Sequence, residues 1–242
     1  AQAAMDSGVA SRPIADFSAY RQRLSEFVYN SALMMKPIFA QAKTAPKRIA
    51  YAEGEDLRVL RAIQIAVDEG LAQPILVGRT AVIEANIKKL GLRLEHGVNI
   101  TIVDQEKNPD YDKFADDYYN LMQRKGVTPE YAQRETRRRS TLIAAMLVRH
   151  GLADGMLCGT YASYDIHLDF VRNVIGLKEG RNNFFTLNAL MLEDRNLFIA
   201  DTYVNTNPTA EQLAEMTILA AEEVRRFGIT PRVALLSHSS FG

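Results

Sequence analysis

Short apolar strands alternate with amphipathic helices along most of this chain, and that alternation restricts the available folds more than any other feature. Lys47–Tyr51 reads as a strand, and positions 56–69 as a helix closed by Gly70. A strand over 74–77, a helix over about 81–90 and a strand over 99–103 follow. Helices are expected over roughly 111–125 and 129–150, the second broken near Arg137. Positions 156–158 make a strand between two glycines, and positions 163–174 a helix. Successive strand–helix units bury their apolar faces best in an α/β fold, a doubly wound, mostly parallel sheet with flanking helices. Phe184–Leu192 and Leu197–Ala200, joined by EDRN, read as an antiparallel hairpin. Thr209 with Gln212 three residues later opens a helix to Phe227 with a capping box, and 233–236 reads as a buried final strand. Apolar residues at helical spacing also mark a helix from Asp16 to about Ala42.

Composition narrows the function classes. Lys+Arg and Asp+Glu both number 29, so the net charge is zero, without the basic excess of a general nucleic-acid or membrane-surface binder. A single cysteine, Cys158, excludes an internal disulfide and fits a reducing cytoplasm. Placed inside an apolar strand, it reads as a small core residue. No apolar run is long enough to span a bilayer. The opening AQAAMDSG reads as the tail of an earlier helix closed by Gly8, followed by a linker, and the chain as a piece of a longer polypeptide truncated within its last unit.

Several motifs lie where a strand turns into a helix, the position at which an open α/β sheet offers backbone N–H groups to an anion. Glu53-Gly54-Glu55-Asp56 is one, but three carboxylates repel a phosphate and read better as caps complementing a helix dipole. Gly78-Arg79-Thr80 is another ordinary turn. Neither is a dinucleotide fingerprint or a Walker loop. Arg134, Arg137, Arg138 and Arg139 form the densest cationic run, read as a solvated helix face with an anion clamp as the alternative. The histidines 96, 150, 167 and 238 show no metal-ligand spacing. Ser237, Ser239 and Ser240, directly after the expected last strand, offer hydroxyls and N–H groups to a phosphate or carbonyl; the plainer reading is a capped strand end.

RIAYAEGEDLRVLRA, AQPILVG, LADGMLCGT, FIADTYVNTNPTAEQLAEMTILAAE and GITPRVALLSHSS occur in the order seen in phosphate acetyltransferases. Over about Phe17 to Gly242 the chain most resembles the phosphotransacetylase-like C-terminal domain of large, multidomain bacterial NADP-dependent malic enzymes. The resemblance implies a two-subdomain phosphotransacetylase-like (isocitrate/isopropylmalate dehydrogenase-like) architecture. Residues 1–16 would be a linker from an upstream malic catalytic domain, 17–150 part of a first subdomain and 151–242 an incomplete second one.

Departures from the transacetylase pattern bear on the reaction. The Arg-Pro pair that such enzymes resemble one another in carrying after the ADGM-x-x-G glycine falls, counted from Gly159, on Asp169-Phe170. Reversing a charge beside a phosphate changes the interaction by several kcal/mol at about 4 Å and an effective dielectric of roughly 20. A second family arginine aligns with Met122, with Arg124 two residues on as a possible substitute. Phe241 stands where the family's S-x-S-T-K-G turn has lysine, and the family's late Ser-Arg-Gly-Cys and Asp motif lies beyond Gly242. Three readings follow from the resemblance. The first is a non-catalytic, acetyl-CoA-sensing and oligomerising domain, with Gly159, Thr160, Ser163, Ser237, Ser239 and Ser240 as ligand candidates. NADP, malate and a divalent Mg or Mn would then belong to the catalytic domain, with which this one forms a cytoplasmic homo-oligomer, dimer or higher. The others are a fragment of an active phosphate acetyltransferase and a purely structural assembly domain.

Overall fold

A computed structural model describes residues 5–8, 14, 16–17, 20, 30–192 and 195–236. Contacts group the chain into two units, Gln41–Asn182 and a smaller one made of Ala1–Ala40 with Asn183–Gly242. The first described helix is α1 (Asn30–Thr44); the earlier part of the helix expected from Asp16 lies outside the described residues apart from isolated positions.

In the larger unit the order is β1 (Lys47–Tyr51), α2 (Leu57–Asp68), β2 (Ala72–Val77), α3 (Thr80–Leu90), β3 (Thr101–Val103), α4 (Tyr111–Met122), α5 (Pro129–Arg138), α6 (Ser140–Arg149), β4 (Gly155–Leu157) and α7 (Tyr164–Phe170). The four strands are parallel in the order β3-β2-β1-β4. The chain therefore winds outward from β1 through β2 to β3, then returns across the sheet to place β4 on the other side of β1. That reversal is what doubly winds the sheet, and it makes β1/β4 the topological switch point. Pro74 falls before β3 begins to pair at Ile75↔Thr101, so its missing N–H removes no rung between β2 and β3.

Side-chain alternation along β2 separates two cores. Leu76 faces Leu60 and Ile63 of α2 and Ile83 and Ile87 of α3. Ile75 and Val77 face the opposite way, onto Phe114 and Tyr118 of α4 and the buried stretch of α6. In α6 every residue from Thr141 to Leu147 is buried, so this helix is apolar all round and lies inside the unit. The break between α5 and α6 falls at Arg139 (φ −105°, ψ 97°), two residues after the expected point. Thr128 caps α5 by accepting from the Tyr131 N–H, ahead of Pro129 in the first turn. The helix expected over 163–174 is α-helical only to Phe170; Val171–Ile175 widens into a π turn.

Two expectations are corrected. Cys158 is exposed, because β4 is the sheet edge and its far end, with Leu157 55% exposed, has no neighbour on its outer side among the described residues. Residues 233–236 form no ladder, and Leu235 and Leu236 are 70% and 89% exposed. Apolar composition favours a strand, but a strand exists only when a partner takes its backbone groups, and none does among the described residues.

In the smaller unit, β5 (Asn188–Met191) and β6 (Asn196–Ile199) form the expected antiparallel hairpin in the register Asn188↔Ile199. Helix α8 (Ala210–Arg226) opens with the expected capping box: Thr209 Oγ1 accepts from the Gln212 N–H, and Gln212 Oε1 accepts from the Thr209 N–H. Asp201 organises the loop before it by accepting from the Thr186 hydroxyl (2.7 Å) and the Asn205 N–H (2.7 Å). Burial raises the Asp201 pKa, but these hydrogen bonds outweigh it and hold the carboxyl at about 2. Among the described residues, no helix is long and apolar enough to cross a membrane.

Candidate functional site

A cleft of about 370 Å³ opens at the carboxyl ends of β1, β2 and β3, the side on which open α/β sheets bind ligands. Its walls come from Ala52 and Glu53 after β1, Gly78 and Arg79 after β2, Gln105 and Glu106 after β3, Arg137, Arg138 and Ser140 at the α5/α6 junction, and Tyr161 in the loop after β4.

The two turns that could cradle an anion are already filled by this chain's own carboxylates. Asp56 caps α2, accepting from the Arg58 and Val59 N–H groups at 2.7 and 3.3 Å. Asp104 accepts from the Thr80 N–H at the start of α3 (2.9 Å). Burial raises the Asp104 pKa, and the backbone N–H groups of Thr80 and Glu106 bring it below its ordinary value. Glu55 grips Arg79 through three hydrogen bonds, one from the Arg79 N–H (2.8 Å) and two from its guanidinium (2.9 and 2.8 Å). Arg79 thereby holds the Glu55 carboxyl below the usual carboxylate range. The reading of the acidic turn as caps is right for Asp56, whereas Glu55 neutralises the one arginine of the neighbouring turn.

Glu53 does something the local sequence does not reveal. It is only 5% exposed, and it crosses from the end of β1 to the loop after β4. There it accepts from the Gly159 N–H at 2.9 Å, while the Thr160 hydroxyl stands at 3.4 Å. Gly159 and Thr160 thus stand at the switch point with their donors pointing at an internal carboxylate. Burial and then the charge of Glu53 push the Cys158 thiol up to about 11, so this exposed cysteine is protonated at neutral pH. Burial, followed by Glu53, also raises the Tyr161 phenol.

The loop carrying Tyr161 is held from behind. Ala162 takes a left-handed φ of 68°, a conformation that costs a non-glycine residue about 1–2 kcal/mol. His167 on α7 compensates by tying the loop to α6. Its Nε2 lies 2.8 Å from the Tyr161 carbonyl, which can only accept, and its Nδ1 2.9 Å from the hydroxyl of Thr141. Nε2 therefore carries the ring proton, and in the neutral ring Nδ1 accepts from Thr141. Ser163 stands at the N-cap of α7 with its hydroxyl at Asp165, whose carboxyl it holds below its ordinary value. Ser237, Ser239 and Ser240 lie outside the described residues.

Two other histidines lie among the described residues, and His238 lies outside them. His96 Nδ1 accepts from the Ile102 N–H (3.0 Å), and His150 stacks on Phe114 (5.2 Å between centroids). Among the described residues no group of three His, Cys, Asp or Glu side chains could hold a metal. Arg137 and Arg138 belong to the run read as a solvated face with an anion clamp as the alternative, and Glu53 to the turn read as caps. The arginines look like any solvated run in the sequence, and only the return of the chain to β4 brings Glu53 to Gly159. Met122, aligned with a family arginine, ends α4 with its side chain buried in the core, and Asp169, aligned with another, is exposed 3.9 Å from Arg172.

Residues 33–242 match the phosphate acetyl/butaryl transferase family. The chain is 53% identical over 242 residues to the NADP-dependent malic enzyme of Haemophilus influenzae, covering 100% of this chain and 32% of that protein. It is 34% identical over 215 residues to the phosphate acetyltransferase of a Synechocystis species, covering 88% and 29% respectively. The chain thus spans about a third of the length of the curated relatives it matches. The crystal structure of a phosphotransacetylase from Streptococcus pyogenes superposes with a TM-score of 0.76 at 28% identity, over 86% of this chain and 64% of that one. A parallel β3-β2-β1-β4 sheet of this kind, with a match that runs from α1 through the last residue, means that the chain belongs to the phosphate acetyl/butaryl transferase family.

Proposed function

We propose that this chain is a regulatory, acetyl-CoA-sensing and oligomerising domain of a cytoplasmic NADP-dependent malic enzyme. The observation that carries the reading is the 53% identity to such an enzyme along the whole chain, against 34% to a phosphate acetyltransferase. Under this reading the parent protein oxidatively decarboxylates malate to pyruvate, and NADP and the divalent metal belong to a part of it outside this chain. Acetyl-CoA inhibits by binding one arrangement of the assembly more tightly than another, and a coupling of about 1–3 kcal/mol gives a 5- to 150-fold effect. Loss of acetyl transfer itself is supported by the burial of Met122 and the exposed acid at Asp169, positions where the resemblance places anion-binding arginines. Self-association is supported by the β5–β6 ribbon, which carries no charged residue in either strand and leaves Leu190, Met191, Leu197 and Ile199 41–44% exposed. An uncharged ribbon of two strands is marginal alone and invites a second copy.

The test follows malate-dependent NADPH formation by the full-length protein at rising acetyl-CoA, with calorimetric binding of acetyl-CoA to it and to a Ser239→Asp, Ser240→Asp variant. Binding with inhibition, both weakened in the variant, is the expected result. No binding and unchanged activity would reject the sensor and leave an assembly role, whereas acetyl phosphate production from acetyl-CoA and phosphate would favour the transferase reading that the Synechocystis relative represents.

A further inference from the structure

We propose that the cleft at the ends of β1, β2 and β3 binds a phosphate-bearing ligand of nucleotide size, with Arg137 and Arg138 receiving the phosphate and Glu53 accepting a hydrogen bond from a donor elsewhere on the ligand. The inference deepens the acetyl-CoA reading, since the phosphoadenosine end of that molecule has this chemistry, and it moves the anion away from Gly159 and Thr160. Several donors around the cleft are already engaged within the chain. The Arg58 and Val59 N–H groups at the start of α2 are taken by Asp56, the Thr80 N–H of α3 by Asp104, the Gly159 N–H by Glu53, and the guanidinium of Arg79 by Glu55. Of the cations lining the cleft, this leaves Arg137 and Arg138.

Arg137 is poised for the task. Its guanidinium lies 4.2 Å from the centroid of the Tyr111 ring, and the Tyr111 hydroxyl is itself fixed to the Gln133 carbonyl. A guanidinium held against an aromatic ring loses less freedom on binding a phosphate than an unsupported one. Glu53 supplies the opposite chemistry. It is a buried carboxylate whose acceptor sites exceed the two donors that meet it, and no ion pair to it is formed among the described residues. Such a group in a cleft wall favours a ligand hydroxyl or amine. A volume of about 370 Å³ is at the scale of small-ligand pockets of roughly 300–1,000 Å³ and suits a ligand no larger than a nucleotide.

Calorimetry on the full chain with adenosine 3′,5′-bisphosphate as the probe tests this, with acetyl-CoA titrated in parallel. The expected result is probe binding that falls at least 10-fold in Arg137→Ala, Arg138→Ala and by less than twofold in Arg134→Ala. Arg134 is the control because it stacks on Tyr131 (4.9 Å) and does not line the cleft. Glu53→Gln should weaken adenosine 3′,5′-bisphosphate while leaving inorganic phosphate no weaker than in the wild type; the arginine pair, being exposed, tests the site even if Glu53→Gln fails to fold. Absence of probe binding, or equal binding by the arginine variant, overturns the proposal. Acetyl-CoA binding that ignores Arg137 and Arg138 overturns this site and spares the sensor. Arginine-dependent probe binding with no response to acetyl-CoA does the reverse.

Discussion

Replacing Gly54 by alanine should destabilise this chain by about 3 kcal/mol, far more than the change of one methyl group implies. A Cβ built at Gly54 would lie 2.8 Å from the Val77 carbonyl oxygen, 2.9 Å from Leu76 Cβ and 3.1 Å from the Val77 nitrogen. Comfortable contacts begin near 3.5 Å, so something must yield by roughly half an ångström. None of these atoms is the free end of a side chain. Two belong to the backbone of β2, and Leu76 and Val77 are 0% and 1% exposed between the two cores. Overpacking of this kind costs about 1–3 kcal/mol. Relief by moving the turn would stretch the Gly54 N–H to Val77 carbonyl hydrogen bond, now 3.1 Å, at a further cost near 1 kcal/mol. Gly70→Ala is the matched control. Gly70 has nothing within 4 Å of its built Cβ, but its φ of 65° is left-handed, so only a conformational strain of about 1 kcal/mol applies. Urea unfolding of both variants, compared at constant m, separates the two causes. If Gly54→Ala is no less stable than Gly70→Ala, the close approach of β1's turn to β2 is not what fixes glycine there, and the reasoning fails.

Two further outcomes follow from the ionisable groups. Asp56→Ala removes the cap of α2 and should cost about 1 kcal/mol at neutral pH. The Arg58 guanidinium and the backbone N–H groups of Arg58 and Val59 depress the Asp56 pKa from its ordinary 3.8 to about 2 in the folded chain. A depressed carboxyl stabilises above its unfolded pKa and loses that contribution as pH falls. The wild-type advantage over the variant should therefore be full above about pH 4 and vanish near pH 2; a constant difference across that range would contradict the cap. Cys158 should be alkylated by iodoacetamide at pH 8 about 10-fold more slowly than a thiol of pKa 9.0, because a pKa pushed up to about 11 lowers the thiolate fraction ~100-fold and the greater nucleophilicity of the more basic thiolate recovers about 10-fold. Reaction at the ordinary rate would contradict the partial burial of the thiol and the Glu53 charge that raise it.

Much of the fold was written locally. A short apolar run along β2 and period 3.6 along α2 and α8, with caps at Asp56 and Thr209, places most elements within two or three residues of where they stand. These signals are legible because they depend on neighbours a few positions away. Positions 233–236 show the limit of such reading, since their apolar run is compatible with a strand whose existence depends on a partner. Cys158 shows the same limit, because an apolar stretch does not say whether its strand is central or at the edge. The motif around Gly159 was one of those that carried the family, and it lies at the carboxyl end of β4.

The site's charges were decided by tertiary structure. Glu53 and Gly159 are 106 positions apart, and Glu55 and Arg79 are 24 apart; each pair meets only because parallel β1, β2 and β4 end side by side. Sequence by itself determined that this chain is a doubly wound α/β unit of its family with a wealth of donors after its strands. Which donors are spent on internal carboxylates, and which guanidiniums remain for a ligand, was set by the order β3-β2-β1-β4. Hydrogen bonds and ion pairs act over a few ångströms, and sequence distance does not measure that separation.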